Sequence, residues 1–212
     1  MRLRVSLAVT AIAVLATPLA AQTLHGSLAF GGGSVRSTSL LGSTEEALQG
    51  IVVGGEARLR VGRVWVDGAY REGSIKTTDD TETRDYADGH MFLRVETFPG
   101  VVASVGPHAR AYITNTGTQR WLFWSVRLRG ERALIAPAIA GYIELWHSLG
   151  ANVNVSETFD RATGGDVGMT VRLPRSKFWG RIGYDIERAW LSGSARKETV
   201  EGVSLVLGFG SR

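Results

Sequence analysis

From Val52 to Tyr70 the chain alternates between unlike residues. Val53, Gly55, Ala57 and Leu59 interleave with Gly54, Glu56, Arg58 and Arg60, the period-two pattern of a strand with one apolar and one charged face. A turn at Arg60-Val61-Gly62-Arg63 leads into a second arm, where Val64, Val66, Gly68 and Tyr70 alternate with Trp65, Asp67, Ala69 and Arg71. The two arms predict an antiparallel hairpin.

The same pattern recurs along the chain. A strand is predicted over Leu24 to Phe30, ending at Gly31-Gly32-Gly33, with a polar loop from Ser34 to Glu46. A second exposed loop is predicted around Thr77 to Asp85. His90 to Phe98 alternates again and stops at Pro99-Gly100, a tight-turn pair. Val101 to Ile113 runs back, with a bulge or break predicted at Pro107 because proline cannot donate to a ladder. Arg120 to Arg129 alternates after the loop at Asn115 to Thr118, and a turn is predicted at Gly130-Glu131-Arg132. Ala133 to Trp146 is apolar on both parities; Pro137 argues against a helix there, so it too is assigned to a strand. His147 to Gly165 is mostly polar, with Ala151 to Val155 able to extend a strand. Asp166 to Leu173, Lys177 to Leu191 and Val200 to Phe209 complete about ten strands. The predicted connections alternate between short turns and longer polar loops, as an up-and-down meander requires.

Composition narrows the class. With 212 residues, 44% hydrophobic and 21% charged, the chain is long enough for one substantial core. Residues 1–21 have the layout of a secretory signal peptide: Arg2 and Arg4, an apolar run from Val5 to Ala16, then Pro18-Leu19-Ala20-Ala21. Cleavage after Ala21 is expected, leaving residues 22–212 as a single domain. The remaining chain lacks the roughly 18 to 20 consecutive apolar residues of a membrane helix, so any spanning must use strands. Cysteine is absent, so no disulfide framework stabilises the exported chain. Without Arg2 and Arg4, 22 basic residues face 20 acidic ones, a net +2, which gives a nucleic-acid partner no support.

These features together resemble the small outer-membrane β-barrels of Gram-negative bacteria, such as the membrane domain of outer-membrane protein A. The resemblance is architectural and covers nearly all of residues 22–212. It implies an all-β, up-and-down antiparallel closed transmembrane barrel of about ten strands, with 8 to 12 as the range. It also implies outer-membrane lipid as surroundings and the outer-membrane insertion machinery as a partner during assembly. Members commonly end on an aromatic residue; here Phe209 is followed by Gly210-Ser211-Arg212.

Energetics give the sign of the faces in such a barrel. Arg58, Arg94, Arg110, Arg127, Arg172 and Arg181 all fall inside predicted strands, and each would cost about 2 to 4 kcal/mol facing lipid at mid-bilayer. They are therefore predicted to face inward with Glu56, Asp67, Glu96, Glu144, Asp185, Glu187 and Glu201, as an interior ion-pair network. A narrow interior filled this way argues against a wide pore. Alternation alone also permits the inverse, a soluble periplasmic lipocalin-like barrel with its apolar face inward around an apolar ligand.

Candidate chemistry is sparse. His147-Ser148 invites a rim-sited lipid hydrolase or acyltransferase, although neighbours on a strand point to opposite faces. His25, His90, His108 and His147 lack metal-ligand spacing, and Asp79, Asp80, Glu82, Asp85 and Asp88 lack the spacing of a calcium loop. Gly31-Gly32-Gly33 has no phosphate-loop context. Arg196 and Lys197 are candidates either to meet lipid phosphates at the outer rim or simply to be solvated. The prediction is a non-enzymatic barrel with no cofactor or metal and a structural, adhesive or small-solute role; the sequence specifies no surface partner.

Overall fold

The computed structural model describes residues 24–78, 81–135, 138–192 and 196–211. The expected signal peptide and its cleavage site lie outside these residues. Ten strands follow one another in chain order: β1 (Leu24–Leu41), β2 (Thr44–Val61), β3 (Val64–Thr77), β4 (Thr83–Phe98), β5 (Val101–Thr114), β6 (Gly117–Ile135), β7 (Ile139–Val153), β8 (Thr158–Arg172), β9 (Phe178–Ser192) and β10 (Lys197–Gly210). Each pairs antiparallel with its chain neighbours, and β1 pairs with β10, so the sheet closes into an up-and-down barrel. Closure removes both sheet edges and satisfies the backbone within the wall, a condition for crossing hydrocarbon.

The faces have the sign that the arginine cost requires. Phe30 and Leu207 are 71% and 66% exposed on the outer surface, whereas Arg94 and Arg110 are 6% and 2% exposed within. A soluble carrier would invert this arrangement, so the lipocalin-like alternative is set aside.

Several sequence expectations are corrected. Strands of 14 to 19 residues exceed the roughly 9 to 11 that cross a bilayer. The supposed loop from Ser34 to Glu46 is mostly ladder: β1 and β2 stay paired to Leu41 and Thr44, leaving Gly42-Ser43 as the turn. Asn115-Thr116 is likewise a two-residue connection. Polarity misled the reading because a strand rising above hydrocarbon has no reason to be apolar. The turn expected at Gly130-Glu131-Arg132 falls inside β6, and Ala133–Ile135 belong to β6 instead of opening the next strand; Pro137 lies outside the described residues. At Pro107 the pairing with β4 breaks without a bulge: it skips Met91 and Phe92 opposite Pro107 and Gly106, and register is the same on either side, with His90 opposite His108 and Leu93 opposite Val105. The register shift in the β4–β5 pair lies between Glu96 and Phe98.

Glycine shapes the wall at two tight corners. On the inner face of β2, a Cβ at Gly54 would collide with the Tyr70 carbonyl oxygen; on β1, one at Gly33 would collide with that of Val203. Only glycine lets adjacent backbones curl this closely.

Candidate functional site: the barrel interior

Inward positions carry nearly all the predicted charges, and they sort into groups along the barrel. At the end with the β2–β3 and β4–β5 turns, the Arg60 guanidinium donates to Glu96 at 2.9 Å, and Glu131 accepts from Arg129 and Arg172 at 3.3 and 3.1 Å. Arg58 packs 5.7 Å from the Trp65 ring, with its Nε buried and lacking a hydrogen-bond partner.

Further in, Arg94 donates through both Nε and Nη2 to Asp67 and through Nη1 to Glu144 at 2.9 Å. Glu144 also accepts from Arg127 at 3.2 Å. A fork-shaped donor between two carboxylates suits arginine better than lysine. Arg181 binds both oxygens of Glu56, at 2.5 and 3.2 Å. Above these, Arg71 bridges Asp88 and Asp185 at 3.2 and 3.3 Å. His108 Nε2 lies 2.7 Å from Asp88 Oδ2, and Arg110 donates to Glu187 and stands 3.8 Å from Glu198.

Glu201 is the exception. It shares the parity of Val203, Leu205, Leu207 and Phe209, so it faces outward; the interior assignment is corrected, and the period of two was enough to place it.

Sequence reasoning missed a second interior component. Val35, Leu48, Ile75, Tyr86, Tyr112, Trp121, Phe123, Trp146 and Leu191 form a buried apolar cluster within the barrel, toward the β1–β2 end. Trp65, Trp121, Trp146 and Trp179, which share the parity of the charged residues, are interior residues at 8% exposure or less. Arginines lie over several of the rings: Arg110 is 5.3 Å from Trp121 and Arg127 is 4.3 Å from Phe92. The signal was present in the placement of four tryptophans on the charged parity. The mouth beyond is polar again, with Arg84 held by Glu46 and Glu82 at 2.6 and 2.8 Å. There the Arg84 guanidinium holds the Glu82 carboxyl below its usual range. Gln119 donates to Glu198 at 2.9 Å.

The remaining candidates are dispersed. His147 points outward, whereas Ser148 is buried and accepts a hydrogen bond from the Ala162 amide at 2.8 Å; they cannot act as a pair. Of the acidic stretch, Asp88 is inside the barrel, Asp85 accepts from Ser74, Glu82 is taken by Arg84, and Asp79 and Asp80 lie outside the described residues. Among the described residues no cluster of His, Asp and Glu is arranged to hold a metal ion. A cavity of about 190 Å³ beside the ion pairs is lined by Gly31, Gly33, Gly54, Arg71, Asp166 and Arg181, among others. It has room for on the order of six water molecules.

No family model matches the chain, and no curated protein matches it. Solved structures do. The outer-membrane protease OmpT of Escherichia coli superposes with a TM-score of 0.61 at 8% identity, over 90% of this chain and 97% of that one. The translocator domain of the autotransporter NalP from Neisseria meningitidis gives a TM-score of 0.50 at 10% identity, covering 96% and 95%. Identities this low speak for fold alone. With its aliphatic residues outside and its charges enclosed, the chain has the closed up-and-down β-barrel fold of these outer-membrane proteins.

Proposed function

We propose that this barrel is a sealed, non-enzymatic structural element of the outer membrane, reached by export with a signal peptide cleaved after Ala21. The observation that carries the reading is the filled cross-section. Arg110, Trp121 and Phe123 meet inside the wall at 2% exposure or less, and ion pairs lie on both sides of that layer. A conducting channel needs a continuous polar lumen, and a buried aromatic layer opposes one.

Two further features support this reading. The connections at the β1–β2 end include two-residue turns, so little irregular chain is available for adhesive contact. His108, which lies within hydrogen-bonding distance of a carboxylate, is enclosed at 7% exposure in a place no polymeric substrate reaches. The activity in the name of the E. coli neighbour is not carried over, since the likeness is one of fold.

Planar-bilayer recording tests the proposal. The intact barrel is expected to show no stable conductance, and Trp121→Ala with Phe123→Ala is expected to create one. Steady current through the unaltered protein would overturn the reading. Hydrolysis of peptide or lipid ester substrates by the intact protein, abolished in His108→Ala, would overturn its non-enzymatic part.

A further inference from the structure

Outward-facing charge above the apolar belt is uneven around the barrel. On β8, β9 and β10, Arg161, Arg188 and Lys197 all face out, and none has an ion-pair partner among the described residues. They are in register. Trp190 of β9 lies opposite Arg161 of β8 on one side and Lys197 of β10 on the other. The Arg161 guanidinium is 4.8 Å from the Trp190 ring centroid and the Lys197 ammonium 5.9 Å. One row lower, Arg188 lies between Thr163 and Thr199. Two adjacent rows thus present three cations and two hydroxyls on one patch, with an indole holding two of the cations in place. Two acids are nearby. Asp160 sits at the bulge beside Arg161, and Glu201 interacts with the Tyr184 hydroxyl, so the patch keeps a positive excess.

Its height fits a membrane surface. Phe178 and Phe209 pack at 5.1 Å on the outer face at the end with the β2–β3 and β4–β5 turns. From Phe178 to Arg188 is ten residues of β9, about 33 Å of strand at about 3.3 Å per residue. At the usual tilt of about 40° this rises about 25 Å, the height of the apolar band. Below Arg188 the outer surface of β8–β10 is apolar except for Glu201, which is opposite Ile186 and interacts with the Tyr184 hydroxyl; Tyr184, Val167 and Val203 are exposed there. Charge-assisted donors therefore begin where hydrocarbon ends.

We propose that Arg161, Arg188 and Lys197, with Thr163 and Thr199, form a site for the phosphate of an outer-leaflet glycolipid whose acyl chains lie along β8–β10. Guanidinium, ammonium and hydroxyl donors converging from three strands suit a multiply charged oxyanion. Arg196, the other sequence candidate, is excluded because Glu157 and Glu198 hold it at 3.5 and 2.6 Å.

The test uses the folded barrel in phosphatidylcholine nanodiscs doped with bisphosphorylated lipid A or with the same glycolipid after removal of its phosphates. Native mass spectrometry counts the glycolipid retained. The wild-type protein is expected to retain the phosphorylated form at least tenfold more than the dephosphorylated one, a comparison that needs no variant. The triple variant Arg161→Gln, Arg188→Gln, Lys197→Gln is expected to lose that preference while keeping heat-modifiable migration. Lys76→Gln with Arg120→Gln, elsewhere on the rim, is expected to keep it. Equal retention of both glycolipids, or equal loss in the two variant sets, would overturn the site. Displacement of lipid A by millimolar inorganic phosphate would also overturn it, in favour of a free-phosphate site.

Discussion

At the scale of single residues, the barrel interior is built from charges that are costly alone and tolerated together. Arg94 is the clearest case, since it is buried and serves Asp67 and Glu144 at once. Arg94→Met would leave two buried carboxylates without their shared donor and is expected to destabilise the barrel by about 3 to 5 kcal/mol, read from the urea midpoint of unfolding from lipid vesicles. Adding Asp67→Leu should recover part of that loss, because the pair is then replaced by apolar contacts. An Arg94→Met midpoint equal to that of the wild type would mean the network contributes nothing. Gly54→Ala tests the wall, since its methyl group would meet the Tyr70 carbonyl oxygen. The overpacking is expected to cost about 1 to 3 kcal/mol in the same assay, whereas Gly117→Ala, with open space around its Cα, should be close to neutral.

At the scale of elements, alternation made most strands readable, and its sign came from an energy: six arginines cannot face hydrocarbon. The strand ends were not readable in the same way. Ser34 to Leu41 has the composition of a loop, yet each of these residues has a partner on β2. Beyond the bilayer the outer face meets water, so polarity there carries no information about pairing. The same blindness hid Arg84 and Glu46 from the candidate network, because both lay in stretches read as loop. Ala133 to Trp146 failed for a different reason: with both parities apolar, nothing marked where β6 ends and β7 begins. Glu201 was readable and misassigned, since Val203 and Leu205 share its parity. The extended β1–β2 ladder predicts slow amide hydrogen exchange through Val35 and Ser37, measured in nanodiscs. Exchange there as fast as at Gly42 would show that the polar hairpin is a loop after all.

At the scale of the whole molecule, the interior has a polar mouth, an apolar cluster and then a column of ion pairs, enclosed by a sheet without edges. That layering supports a closed barrel more than a conduit. All of it depends on which face meets lipid, and a chain without cysteine allows that to be measured one position at a time. Single cysteines at Val203, Ser204, Leu205, Val206 and Leu207 of β10, each carrying the same environment-sensitive fluorophore, can be read in vesicles whose acyl chains are brominated. Strong quenching is predicted at Val203, Leu205 and Leu207 and little at Ser204 and Val206. The opposite alternation, or no alternation, would contradict the account.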